Sequence, residues 1–115
     1  MNAIRKQTIM KHMGAYRDNS DSEAIRKTID ELVKSSAECK LIFHLTDGQF
    51  CSRTQDVRTQ IARAESLGIQ VVILTLDIEA DFAYNYVPKY LADQINDENV
   101  GRVLAKHLQR MLAAA

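Results

Sequence analysis

Eight residues, Ile69-Gln70-Val71-Val72-Ile73-Leu74-Thr75-Leu76, constrain the fold more than any other part of this sequence. The run is too short for a typical helix, rich in β-branched side chains, and broken only by Gln70. A strand apolar at nearly every position has both faces covered, the pattern of a parallel sheet with helices on each side. Leu41-Ile42-Phe43-His44-Leu45-Thr46 is a second such run, bounded by Lys40 and by Asp47-Gly48.

Helical spacing fills the sequence around these runs. Ser20 stands three residues before Glu23, a capping box, and Ile25, Ile29, Leu32 and Val33 follow at helical intervals with Arg26, Lys27, Asp30 and Glu31 between them. Val57, Ile61, Ala64 and Leu67 mark a helix over about 54–67, and Gly68 closes it. A weak strand is expected over 90–95. Asn96 or Asp97 then caps a final helix whose apolar stripe holds Val100, Val103, Leu104, His107, Leu108, Met111 and Leu112. Residues 2–13 read as a further helix, with Ile4, Ile9, Met10 and Met13 partly on one side and Gly14 at its end. The order of elements predicts an α/β fold: a truncated three-layer Rossmann-like parallel sheet of about three strands plus four helices. Residues 1–16 form an N-terminal helical segment in this reading, and 17–115 the domain.

Charge narrows the function. Fifteen basic and fifteen acidic residues cancel, so no net positive field holds a polyanion or an anionic membrane. No stretch approaches the roughly 20 apolar residues of a membrane helix. Two cysteines, Cys39 and Cys51, are too few for a disulfide scaffold. Met1-Asn2-Ala3-Ile4-Arg5-Lys6 lacks an apolar core of export length, and the expectation is a soluble cytoplasmic protein.

Ligands of parallel α/β sheets bind at the carboxyl ends of strands, which points to 46–52 and 76–81. Asp47 ends an apolar strand and Gly48 lets the chain turn behind it, so Asp47 is either a hard oxygen ligand for a magnesium-type ion or an ordinary loop start. Asp18-Asn19-Ser20-Asp21-Ser22 crowds oxygen-bearing side chains at a helix start, either as caps or as an ion site. His44 and Cys51 flank Asp47 and allow a second reading, a small hydrolytic enzyme using Cys51, His44 and Asp47. Against it, a histidine mid-strand in an apolar run reads as a core residue, as does His107 on its helix stripe. Asp77, Glu79 and Asp81 read as a solvated acidic loop, and Tyr84, Tyr86 and Tyr90 as a cover for the sheet. A phosphorelay receiver would need an acidic cluster after an early strand and a lysine after a late one, and neither is in place.

The segment Asn19-Ser20-Asp21-Ser22-Glu23-Ala24-Ile25, a helix, and then Leu41 to the Thr46-Asp47-Gly48 turn resembles the second half of a von Willebrand factor A-type domain. The group nearest in pattern is that of cobalt-chelatase subunits and related partners of AAA+ ATPases. Ala62 to Ile73 resembles that group's next helix and strand, and Tyr86-Val87-Pro88 onward its closing section, so the likeness covers about residues 17–113. The resemblance implies a non-enzymatic protein-binding module with a partial metal-ion-dependent adhesion site. Asn19, Ser20, Asp21 and Asp47 would be its metal ligands, Mg2+ its ion and an AAA+ ATPase its partner. It also implies that the family's first strand and its Asp-x-Ser-x-Ser loop are missing. Asp18-x-Ser20-x-Ser22 fits that loop's letters, but Lys11-His12-Met13-Gly14-Ala15-Tyr16-Arg17 before it is no apolar strand. Leu41–Thr46 is then expected to be an uncovered edge that recruits a second copy of the chain, giving a homodimer.

Overall fold

The computed structural model describes residues 7–12, 21–46, 53–76 and 78–114. Four parallel strands form one sheet in chain order: β1 (Gln7–His12), β2 (Cys39–Thr46), β3 (Ile69–Leu76) and β4 (Ala92–Ile95). Helices α1 (Asp21–Leu32) and α2 (Thr54–Ser66) make the first two crossovers. Two 3-10 turns, Ala80–Asn85 and Lys89–Leu91, lead from β3 to β4, and α3 (Val100–Ala114) follows. Among the described residues, no helix is long and apolar enough to cross a membrane.

The side chains of β2 and β3 separate the layers. Ile42, His44 and Thr46 alternate with Leu41, Phe43 and Leu45, and the parallel register sets Val71, Ile73 and Thr75 beside the first group. His44 meets α1 through Asp21, whereas Phe43 meets α3 edge-on through the His107 ring, centroids 6.3 Å apart. Thus α1 and α2 cover one face and α3 the other. Successive right-handed crossovers in one direction place their helices on a common face, and the Asp30–Arg63 ion pair at 2.7 Å joins α1 to α2 there. That guanidinium holds the Asp30 carboxyl below its ordinary range.

Each element follows from its sequence. In α1, Ile25, Ile29 and Leu32 are fully buried against the sheet, while Arg26, Lys27 and Glu31 face water. Asp21 and Glu23 occupy its first turn, where carboxylates complement the helix dipole. At the end of α2, Gly68 takes φ +76° and its N–H reaches the Glu65 carbonyl at 3.0 Å, the closing role expected of it. Before α3, the Asn96 side-chain oxygen accepts from the amides of Glu98 and Asn99, and the Asn99 oxygen accepts from the Asn96 amide in return.

The N-terminal segment departs from expectation. Gln7–His12 is a strand, not part of a helix, and it belongs to the same sheet as the rest of the chain. It lies parallel along β2, with Ile9 opposite Leu41 and His12 opposite His44. The edge of Leu41–Thr46 expected to recruit a second copy is therefore paired within the chain. Spacing of Ile9, Met10 and Met13 suits a helix in isolation, but backbone groups beside an apolar parallel strand gain more from the ladder. This strand makes the fourth beyond the three expected, and α1, α2 and α3 are the described α-helices. The weak strand expected over 90–95 is present in its last four residues, after the turn at Lys89–Leu91.

Candidate functional site

The carboxyl rim of the sheet carries a buried polar cluster. Asp21, the first residue of α1, and His44, two residues before the end of β2, are both fully buried, and Asp21 Oδ1 lies 2.8 Å from His44 Nε2. Thr46 and Thr75 stand side by side in the register on the same face, both buried. The Thr75 hydroxyl donates to the carbonyl of Ile78 at 2.7 Å and folds back the chain after β3. One hydrogen bond thus spans 23 residues of sequence and pins the start of α1 to the end of β2.

Of the expected metal ligands, Asn19, Ser20 and Asp47 lie outside the described residues, as do Cys51 and Asp77. Asp21 is described, and it does not fit a ligand for Mg2+: its carboxylate is sealed from solvent and hydrogen-bonded to an imidazole, whereas a hydrated hard cation needs accessible oxygens. Among the described residues, no group of three or more His, Cys, Asp or Glu is arranged to hold a metal ion. His44 is the core histidine expected from its position, and its contact with Asp21 supplies the polar partner that sequence reading did not name. Its Nε2 is engaged by Asp21, so a nucleophile–base pairing with Cys51 could use only the other ring nitrogen. Cys39 is a half-buried free thiol at the start of β2.

A second buried histidine sits on the opposite face. His107 of α3 is fully enclosed, with Nε2 2.6 Å from Asp93 Oδ2 on β4. Arg110 donates to His107 Nδ1 at 2.9 Å and to the Gln70 side-chain oxygen at 2.9 Å. A guanidinium only donates, so Nδ1 carries the lone pair and Nε2–H donates to Asp93: the ring is neutral in this arrangement. Burial pushes its pKa below the ordinary histidine value, with the Asp93 carboxylate opposing the shift. Lys106 also binds Asp93 Oδ2, at 2.8 Å.

The aromatic residues after β3 divide. Tyr86 packs partly buried against the core with its hydroxyl 3.3 Å from that of Thr54. Tyr84 and Tyr90 are exposed, contrary to the expected role of covering the sheet, and each carries a cation over its ring: Lys89 at 5.5 Å and Arg110 at 5.1 Å. The 3-10 turns that hold them project their rings outward, a geometry periodicity does not reveal. Glu79 and Asp81 are solvated, as expected.

No family model matches the chain, and no curated protein matches its sequence.

Proposed function

We propose that the chain is a non-catalytic protein-binding module on the A-type plan, recognising its partner through the carboxyl rim of the sheet. The observation that supports this reading is the Asp21–His44 contact. It anchors the start of α1 beside the end of β2, so the segments before Asp21 and after Thr46 attach to one rim, as binding loops of parallel α/β sheets do. A sheet end at which two chain segments are rooted suits recognition of a folded surface. Binding in this reading runs through the rim surface and not through an ion on Asp21. An ATPase of the AAA+ class is the partner that the sequence resemblance implies, and the cytoplasm is the compartment of this reading.

Photo-crosslinking in cells tests the reading. A benzophenone side chain at Glu79, exposed after the carboxyl end of β3, is expected to give a discrete adduct that mass spectrometry identifies as a protein with ATPase nucleotide-binding motifs. The same group at Ser36, exposed before the amino end of β2, is the control. Equal adducts from both positions would overturn the rim assignment, and an adduct with a non-ATPase protein would remove the ATPase while keeping the rim.

A further inference from the structure

At the amino end of β3, opposite the rim, the sheet has an incomplete edge. β4 joins β3 only at Ile73, paired with Ala92, and runs to Leu76 with Ile95. The β4-side edge of Ile69–Val72 has no strand partner among the described residues, because the turn at Lys89–Leu91 holds the chain away before β4 begins. A cleft of about 370 Å³ opens there, walled by Ile69, Gln70 and Val71 on one side, Tyr90 and Leu91 on the other, and Met111 at one end. Its volume falls within the range of ligand sites.

The charges around this cleft are divided between its two sides, with Arg110 toward α3 and Glu65 toward α2. Arg110 bridges Gln70 and Tyr90, two of its walls, by a hydrogen bond to one and a cation–π contact to the other. No carboxylate lies within ion-pair distance of Arg110 among the described residues; Asp93, the acid on the neighbouring strand, is held by Lys106 and His107. Two of the five guanidinium N–H groups are used by Gln70 and His107, which leaves donors for an incoming acid. On the α2 side the wall is Ile61 and Glu65.

We propose that this cleft binds an extended peptide segment of a partner protein, carrying one acidic side chain, as an added strand beside Ile69–Val72. Main-chain groups of the segment complete the open edge, as in other cases of strand addition. Side chains of a strand alternate between faces. Gln70 faces α3, so the segment's residue beside it points toward Arg110 and is Asp or Glu. The residues on either side of that acid point toward Ile61 and Glu65 and are apolar or basic.

Selection from a phage-displayed random heptapeptide library on the purified full chain tests this. The expected result is a consensus with one acidic position between two apolar or basic ones. A synthetic peptide of that consensus should shift the backbone amides of Gly68–Val72 in a 15N-labelled sample. Arg110→Gln, which keeps a donor for Gln70, should weaken that peptide by about tenfold, and selection on Arg110→Glu should replace the acid by a base. The native amide spectrum of each variant confirms its fold, and the shift map on the unaltered chain stands even where a variant fails to fold. No enriched sequence, enrichment without an acid, or shifts confined to the carboxyl rim would overturn the proposal.

Discussion

Among the described residues stand two histidine–carboxylate pairs, one on each face of the sheet, and they are built differently. Asp21 and His44 are both without exposed surface, and the pair joins the first turn of a helix to the carboxyl end of a strand. His107 is equally enclosed, but its partner Asp93 is 25% exposed, shares its charge with Lys106, and sits at the edge strand. A sealed pair depends on each partner for the solvation it lost, whereas water can replace part of an open one. Identical residue types therefore act as a rivet on one face and as a hydrated network on the other.

Four measurements bear on that contrast, from large effect to small. Asp21→Ala should lower stability by about 3 kcal/mol, because a fully buried imidazole loses its carboxylate partner; urea unfolding gives the value, and a loss below that of Asp93→Ala would break the comparison. Asp93→Ala should cost about 1–2 kcal/mol by the same assay, since solvent reaches the vacated position. Acid should act on the second pair in a defined direction. The folded pKa of His107 is lowered, so below the ordinary value of 6.5 the unfolded chain binds a proton that the folded chain refuses. Stability from this residue is present above that pH and lost as pH falls from 6.5 toward the lowered pKa. Thermal unfolding of the wild-type chain and of His107→Gln between pH 7.5 and 5.0 should therefore converge on acidification (pH values on the order of the histidine range); parallel curves would remove His107 as the titrating group. Lys106→Met should change stability by no more than about 0.5 kcal/mol, and less at high salt, as expected for a pair whose lysine is half exposed.

How much of this was readable beforehand depends on the range of the interaction. β3, α2 and Gly68 are set by neighbours within a few residues: a continuous apolar run, a helical stripe, and a glycine where the backbone turns left-handed. They match expectation to within a residue or so. β1 does not, because Gln7-Thr8-Ile9-Met10-Lys11-His12 has no local preference strong enough to resist a ladder with a strand 32 residues on. The candidate site lies between these cases. Asp21 stands out locally as an acid at a helix start and His44 as a polar residue in an apolar strand. Their contact needs the docking angle of α1 on β2, which no local spacing encodes. A buried histidine in a parallel strand and an acid in the preceding helix's first turn form the signal that could have suggested it. Asp93, between Ala92 and Gln94 on a four-residue strand, gave no such signal.

The one-sided winding of α1 and α2 has a consequence for synthesis. Four strands and two α-helices emerge from the ribosome before α3, the described helix that covers the other face. Until α3 follows, Phe43, Val72 and Leu74 remain an oily wall open to solvent or to whatever chaperone guards it. The growing polypeptide is consequently most adhesive just before its closing helix arrives, and ribosome stalling within that helix should send it to degradation.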